Sequence, residues 1–538
     1  MGSLLFDIRH SVRTLLKAPV FTTVTILTLT LGIGANSAMF SLVNAALLRP
    51  LAYVEPERLM FIYEGFPQAN LPKFPGSAPD IIDMRQYQRS FSRLAAFDEQ
   101  EMELSGHGQP QRLTTVRVES DLFPMLGVAP IMGRTFRPDE DRPGVTVAVL
   151  GYPLWQRLFN GRPEAVGSAV RLDRRPYTVV GVMPASFEFP KRGPQFNGTP
   201  ADLWVPMGWS DMQRQARGSM FNNSILARLK PGVSVEQAMS ELKGLGPRIR
   251  ENYPPVLRNP RFHLEITGIP ISEEISGQIR TPLLVLFAAV GLVLLVACTN
   301  VATLVLSRTA SRRRELNIRL ALGASRIRVL QLLLSESLLL AIAGGMLGLA
   351  AARLVLDAVP AVLSTSLPGL QDVALDGRVL AFTLGVSILT AIVFGLVPMF
   401  TSDRDVSVAL HDGAGRTTGG PRVHRVQQAL VTVTVSVAVV LLVGAGLLVR
   451  SFAALTAADP GFRPQQVLTL SVALPIDAYP TGQSVGIFVK NLHERLQTIP
   501  GVRRASLSTD VPLESNERRA MTGRLTLAQP DCRERETT

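Results

Sequence analysis

Five long stretches of the chain are almost free of charged residues, and this feature constrains the fold more than any other. They are residues 18–48, 282–306, 329–352, 379–400 and 426–449. Each is long enough to cross a hydrocarbon core of roughly 30 Å as a helix that rises about 1.5 Å per residue. A helix also satisfies its own backbone polar groups, which lipid cannot do. We therefore predict a multi-span α-helical membrane protein with about five transmembrane helices.

The short loops between these stretches differ in charge. The loop at 307–328 contains seven arginines and a single acid, Glu315, and the loop at 403–425 contains four arginines. Cytoplasmic loops collect Lys and Arg. We therefore predict that both loops and residues 1–17 are cytoplasmic, and that 50–280 and 450–538 lie outside the cytoplasm.

The first charge-poor stretch has a second interpretation, because Arg9, Arg13 and Lys17 precede it as they would precede a signal-peptide core. Such a core usually spans only about 7 to 15 residues. Residues 18–48 run for about twice that length, which favours a membrane helix with a stalk beyond the bilayer.

The two extracytoplasmic segments have the pattern of α/β domains. In 50–280, short alternating runs bounded by Gly, Pro or Asp predict strands at 114–118, 145–150, 169–172 and 177–182. Ser234 and Gln237 fit a helix capping box. Residues 450–538 predict a partial second domain, with strands at 466–472 and 502–508 and a helix at about 484–497.

Several classes of chemistry have no support in the sequence. The P-loop pattern GxxxxGK[ST] is absent, and the six histidines have no metal-ligand spacing. Cys298 and Cys532 lie in unrelated contexts, so we expect no structural disulfide. The net charge of +12 is concentrated beside the apolar stretches, which favours a membrane over nucleic acid as the partner. Gly482–Gly486 matches a GxSxG elbow, but Pro480 favours Ser484 as a helix-start residue. We predict no catalytic, cofactor-binding or metal-binding residues, and no enzyme.

Polar groups inside the apolar stretches are the next candidates. Glu336 is a functional candidate by default, since ionisable groups in a membrane are costly. The alternative is an interfacial carboxylate paired with Arg326 or Arg328, which we favour. Asn36 and Asn44 are expected to hydrogen-bond between helices.

Small residues recur at four-residue spacing, which allows helix backbones to approach closely. We predict that these residues pack membrane helices: Gly34, Ala38, Gly344, Gly345 and Gly348.

The loop at 307–328 is more than a charge marker. Apolar residues lie among its arginines in an interrupted pattern, and Gly323 provides a turn; the apolar residues are Leu316, Ile318, Leu320 and Leu322. This pattern indicates a short amphipathic helix that binds lipid headgroups or a protein partner. Periodicity does not choose between these two, nor does it exclude a simple topological anchor.

The same residues resemble a known family. Residues 312–325, followed by Gln331, Glu336 and Gly344-Gly345, resemble the FtsX-like permease module of MacB-type ABC transporters. The outer domain is similar to the MacB-type periplasmic core domain at residues 123–128, 133–136, 147–150, 155–159 and 177–184. Residues 31–40 and 47–51 are similar to the duplicated-permease subfamily often seen in acidobacteria.

The resemblance implies a MacB-type periplasmic core domain at 50–280 and an FtsX-like permease module at 281–402. It also implies a permease whose cytoplasmic coupling helix rests on an ATP-binding cassette subunit supplied in trans. That helix would consist of Arg312, Arg313, Arg314, Glu315, Leu316, Ile318, Arg319, Leu322, Gly323 and Ala324.

The subfamily usually completes the second outer domain and adds three helices, so the chain resembles a C-terminally truncated member. It is either a truncated gene product or a chain that needs a second permease copy or homologue to supply the missing half. The resemblance also implies a bacterial inner membrane, with the large domain in the periplasm. The expected function is mechanotransmission export. The alternative is a non-transporting membrane sensor or scaffold that signals across the envelope.

Overall fold

The computed structural model describes most of the chain. The described residues are 2–48, 51, 53–69, 71–106, 109–190, 201–258, 263–312, 326–363, 376–400, 421–457, 467–468, 472, 474, 479, 481–502 and 504–506. The chain divides into two compact units. We call residues 1–49 with 278–462 the membrane unit. The other unit comprises 50–277 with 463–538, and we call its 50–277 part the sheet domain.

Twelve α-helices occur among the described residues. They are α1 Gly2–Leu16, α2 Pro19–Val43, α3 Ala78–Tyr87, α4 Leu122–Leu126, α5 Tyr152–Phe159, α6 Asp211–Gln215, α7 Val235–Arg250, α8 Ile271–Ser311, α9 Arg326–Leu363, α10 Gly377–Phe400, α11 Pro421–Ala457 and α12 Gly482–Gln497. A π-helical turn, Asn44–Leu48, continues α2.

Eleven strands occur in the same part of the chain. They are β1 Leu59–Phe66, β2 Leu71–Phe74, β3 Phe91–Ser105, β4 Gln111–Val118, β5 Met132–Gly133, β6 Val147–Leu150, β7 Ala169–Leu172, β8 Arg175–Val182, β9 Leu203–Pro206, β10 Ser224–Leu229 and β11 Glu265–Pro270.

All eleven strands belong to one mixed sheet. The order is β11-β1-β10-β3-β4-β9-β6-β8-β5, with β2 beside β1 and β7 beside both β3 and β8. Only β4–β9 and β6–β8 are parallel pairs among these strands. Every residue of β1 is buried, because β10 and β11 flank the strand and side chains pack on both faces.

Helix α7 shows how the sequence determines local structure in the sheet domain. The Ser234 hydroxyl accepts a hydrogen bond from the Gln237 backbone N–H, and the Gln237 side chain returns to the Ser234 N–H, as the capping box predicted. Ala238, Leu242, Leu245 and Ile249 form its buried face, which packs against β11. The predicted strands also appear as parts of β4, β6, β7 and β8.

The membrane unit contains five helices that are long and apolar enough to span a bilayer. The candidate spans are Pro19–Leu48, Ile279–Thr309, Leu330–Ala358, Gly377–Leu396 and Arg425–Ala454. Helix α9 is central, since it packs against α1, α2 and α10. The span in α11 has no buried residues. The predicted fold class, a five-span helical membrane protein with an α/β domain, is confirmed.

The predicted C-terminal elements are only partly described. Helix α12 begins at Gly482, and Thr481 is its N-cap with Ser484 three residues on, so Ser484 is a helix-start residue and not a nucleophile elbow. The strands predicted at 466–472 and 502–508 fall mostly outside the described residues, and their described residues are not in strands. The proposed domain boundaries stay predictions.

Candidate functional site at the loop end of the membrane helices

An ion pair lies at the start of the arginine-rich loop. Helix α8 ends at Ser311, and the next residue, Arg312, directs Nη1 to Glu336 Oε1 on α9 at 3.2 Å and to Oε2 at 3.4 Å. Only 20% of the Arg312 side chain and 11% of the Glu336 side chain are exposed. The ion pair therefore joins the point where the loop begins to the central helix of the membrane unit.

An arginine partner for Glu336 was predicted, with Arg326 and Arg328 as examples, and the structure pairs Glu336 with Arg312. Arg328 is eight residues before Glu336 on the same helix, which places the two about 12 Å apart along the axis. Arg328 donates instead to Gln331, at 3.3 Å. The side chain of Arg326 lies outside the described residues. Arg312 is the partner because the last turn of α8 lies beside α9, and a single sequence does not reveal which helices are neighbours.

Arg308, one turn earlier on α8, ties a third helix into the same end of the membrane unit. Its Nη2 donates to the Thr14 carbonyl of α1 at 2.9 Å, and its guanidinium carbon lies 4.4 Å from the centre of the Phe21 ring. Ser11 of α1 and Ser335 of α9 are also hydrogen-bonded, at 2.9 Å between hydroxyl oxygens. Polar contacts thus join helices α1, α8 and α9 around a small cleft between Phe21 and Glu336.

The remaining residues of the predicted coupling helix lie outside the described residues. These are Arg313, Arg314, Glu315, Leu316, Ile318, Arg319, Leu322, Gly323 and Ala324. The structure describes only Arg312 of this set, so the amphipathic coupling helix stays a prediction.

The glycines singled out for packing lie where membrane helices are closest. A β carbon placed on Gly34 would be 2.8 Å from the Gly348 carbonyl oxygen, so the backbones of α2 and α9 touch at this point. A β carbon on Gly344 would be 2.6 Å from the Leu29 β carbon. A β carbon on Gly345 would collide with the Ser387 hydroxyl of α10. Ala38 is half-buried. Their energetic role in packing stays a prediction.

Polar side chains join the same helices along their length. Asn36 Nδ2 donates to the Val290 carbonyl of α8 at 3.0 Å, and the hydroxyls of Ser37 and Thr383 are 2.8 Å apart. Asn44 Nδ2 donates to Asp376 Oδ2, just before α10, at 2.7 Å. Asn36 therefore hydrogen-bonds between helices, as predicted, and Asn44 bonds to the residue that precedes a helix.

Asp376 is a residue whose importance the sequence analysis missed. Its Oδ1 accepts the backbone N–H groups of Arg378 and Val379, each at 3.0 Å, so it caps the start of α10. These N–H donors, that of Val379 first, lower the pKa of its carboxyl. Arg378 in turn donates to the Leu48 carbonyl in the π-helical turn, at 3.0 Å. An aspartate just before a charge-poor helix was the available signal.

The described residues contain no cluster of three or more His, Cys, Asp or Glu suited to a metal ion. Two of the contacts described at this end of the bundle join helices to one another, since Arg312 with Glu336 joins the end of α8 to α9 and Arg308 with Thr14 joins α8 to α1.

Comparison with known proteins agrees with this architecture. A family model described as the MacB-like periplasmic core domain matches residues 22–245, and one described as the FtsX-like permease C-terminal domain matches residues 287–407. The macrolide export ATP-binding/permease protein MacB of Burkholderia thailandensis is 26% identical over 292 residues, which cover 52% of this chain and 40% of that protein. The MacB protein of Salmonella paratyphi A is 28% identical over 284 residues, with the same coverage.

The matched region thus spans about two fifths of the length of these relatives. Among solved structures, the periplasmic region of MacB from Actinobacillus actinomycetemcomitans matches with 16% identity and a TM-score of 0.30, covering 41% of this chain and 92% of that one. Because the two family models match the helix-flanked sheet domain and the following helices in the expected order, the chain belongs to the MacB/FtsX-like family of ABC transporter permeases.

Proposed function

We propose that the chain is the permease subunit of an ABC-type mechanotransmission exporter and is not itself an enzyme. Its relatives carry the names of export ATP-binding/permease proteins, while the sequence here contains no P-loop lysine pattern. An ATP-binding cassette subunit supplied in trans would provide the nucleotide site. The lipid bilayer and a second permease copy or homologue complete the expected partners.

The observation that supports this proposal best is the Arg312–Glu336 ion pair. Arg312 directly follows α8 at the start of the arginine-rich loop, and Glu336 lies in the helix that packs against α1, α2 and α10. A partner that moved the loop would therefore pull on the central helix through a charge-assisted contact. Coupling of this kind requires two states of the helix bundle, biased by nucleotide binding in the partner.

We further propose that the N-terminus and the loops at 307–328 and 403–425 are cytoplasmic. The arginine excess of these loops over the segment 353–378 supports this orientation. In a background without Cys298 and Cys532, an impermeant thiol reagent added to intact cells should label Ser219→Cys in the sheet domain. It should label Ser407→Cys only after lysis, and the reverse pattern would contradict the proposed orientation.

The decisive experiment measures ATP hydrolysis by candidate cassette subunits with and without this chain in lipid nanodiscs. We expect wild-type chain to change the rate, and Arg313→Glu or Leu316→Glu to abolish the change while membrane insertion is retained. Arg353→Glu is a matched control, because Arg353 lies in α9 beyond Gly348 and its side chain is 54% exposed.

Equal stimulation by the wild-type chain and by both loop variants would contradict the coupling role. If no cassette subunit associates even after cross-linking in the native membrane, the sensor or scaffold function becomes the better interpretation of the same topology.

A further inference from the structure

Two acidic side chains are buried in the core of the sheet domain. Glu64 lies on β1 and Asp80 in the first turn of α3, and each has a relative exposure of 0%. Asp80 Oδ2 accepts hydrogen bonds from the Ser77 hydroxyl and the Tyr253 hydroxyl, both at 2.6 Å. Apolar side chains that include Phe74, Ile81 and Ile225 belong to the same buried cluster.

The other carboxyl oxygens of this pair are not satisfied. Among the described residues, no hydrogen bond of normal geometry reaches Glu64 Oε1, Glu64 Oε2 or Asp80 Oδ1. Two ionised carboxylates offer each other no hydrogen, and burying both without compensation is very costly. A single proton between them would supply the missing donor.

The charged neighbours do not neutralise the pair. Asp83 adds negative charge from α3, and Arg217, whose charge lowers the pKa of Asp80, is engaged with Asp83 at 2.6 Å. Asn252 also donates to Asp83, at 2.9 Å.

Lys73 on β2 is the next cation along the sheet. Its ammonium group lies over the ring of Tyr63 and pairs with Glu274 at 2.9 Å. Side chains alternate between the two faces of a strand, so Tyr63 and Glu64 point in opposite directions. Lys73 is therefore on the side of β1 away from Glu64.

Electrostatics agree with this geometry. Burial, and then the charge of Asp80, raise the pKa of Glu64 well above its ordinary value, although the Ser77 backbone N–H acts in the other direction. Burial raises the pKa of Asp80 to about 6, against the opposing hydrogen bonds of Ser77 and Tyr253. The pKa of Tyr253 is raised as well, by burial and then by the charges of both acids, so its hydroxyl remains a donor.

We propose that Glu64 and Asp80 bind one proton between them at neutral pH, and that loss of this proton weakens the β1–α3 core, which makes the sheet domain sensitive to external pH. A proton fits the site better than a metal ion, since no group of three or more acidic, His or Cys side chains suited to a metal exists among the described residues.

The sign of the effect follows from linkage. The folded state keeps a proton that the unfolded chain releases near pH 4, so the free energy of unfolding falls as pH rises above that value and levels off once the folded pair has ionised.

The test uses the full chain in detergent micelles. Trp155, Trp204 and Trp209 are the three tryptophans of the chain, and all lie in the sheet domain, so their fluorescence reports its unfolding in urea. We expect the urea midpoint of the wild type to fall between pH 6 and 8. Glu64→Gln keeps the shape of the protonated acid, and its midpoint should exceed that of the wild type by a margin that grows with pH.

Glu101→Gln is the matched control, because Glu101 is 52% exposed on β3 and should leave the wild-type pH dependence unchanged. Parallel pH profiles for wild type and Glu64→Gln would overturn the proposal, and so would full recovery of the wild-type midpoint at pH 8 by added Na⁺ or Ca²⁺. Should Glu64→Gln not fold, Asp80→Asn is measured in the same way. Infrared spectra of the wild type also test the proposal, since absence of a protonated-carboxyl band at pH 6.5 would refute it.

Discussion

The backbones of Gly34 and Gly348 are in direct contact, since the Gly348 carbonyl oxygen lies 2.8 Å from where a β carbon on Gly34 would be. The converse also holds, because a β carbon on Gly348 would lie 2.8 Å from the Gly34 nitrogen. Helices α2 and α9 therefore have no room for any side chain at this point. Small residues at such contacts are what allows close packing in lipid, where no hydrophobic effect drives helices together.

Gly34→Ala should destabilise the membrane unit by about 1–3 kcal/mol, the usual cost of overpacking a well-packed contact. Cys298 provides the measurement, because it is half-buried in α8 and its reaction with a fluorogenic thiol dye should become faster when the helices separate. With Cys532 replaced by serine, we expect the thermal midpoint of dye labelling to drop in this variant.

Gly291→Ala is the control for this experiment, since nothing lies within 4 Å of a β carbon at Gly291. An equal drop for both variants would show that detergent effects, and not the α2–α9 contact, set the midpoint.

Glu336→Gln should lower the same midpoint, because it removes the carboxylate charge from the Arg312–Glu336 ion pair. Removing one partner of a fully buried ion pair costs roughly 3–5 kcal/mol. With 20% of the Arg312 side chain exposed, water compensates in part, and we expect a cost of about 2 kcal/mol.

Asp357→Asn serves as the comparison for Glu336→Gln, because the Arg353–Asp357 pair is more than half exposed on the same helix. A midpoint for Glu336→Gln equal to that of Asp357→Asn would mean that the ion pair does not hold α8 to α9.

These two sites differ in how far the sequence predicted them. Long charge-poor stretches identify spans because hydropathy is a local property, and the spacing of Gly344 and Gly348 identifies a helix face for the same reason. The Arg312–Glu336 pair depends on which helices are neighbours, so an arginine partner for Glu336 was predictable but its identity as Arg312 was not.

The sheet domain shows the same limit. A capping box such as Ser234 with Gln237 involves only residues close in sequence and was predicted correctly. The pair of Glu64 and Asp80 forms because α3 packs over β1, and nothing in the sequence places residues 64 and 80 together. An acid within the otherwise uncharged strand Leu59–Phe66 was the one available signal.

Arg228→Met should destabilise the sheet domain by about 3 kcal/mol, because carbonyl groups lose their donor when it is removed. Arg228 on β10 is 8% exposed and donates from Nε and Nη2 to the Met125 carbonyl, at 3.1 and 2.7 Å, and from Nη2 to the Val54 carbonyl. Urea unfolding followed by tryptophan fluorescence measures the change.

Arg93→Met is the matched substitution at an exposed site, where the Arg93 side chain is 44% accessible and pairs with an exposed aspartate. Its effect should stay within about 0.5 kcal/mol. A loss for Arg228→Met no larger than this would show that the buried guanidinium contributes no net stability.

Glu140→Gln should change how the sheet domain responds to acid. Glu140 accepts two hydrogen bonds from the Arg134 guanidinium, at 2.8 and 2.6 Å, and these bonds hold the pKa of its carboxyl below the ordinary value. A lowered folded pKa adds stability that is fully present above the unfolded pKa of about 4 and disappears as pH falls through the folded pKa. The urea midpoint of wild type should therefore exceed that of Glu140→Gln at pH 6, and the two should converge as pH falls below about 4.

Glu164→Gln, at an exposed position, should follow the wild type throughout. A gap between wild type and Glu140→Gln that persists unchanged at low pH would mean that the substitution acts through shape and not through the charge that Arg134 binds.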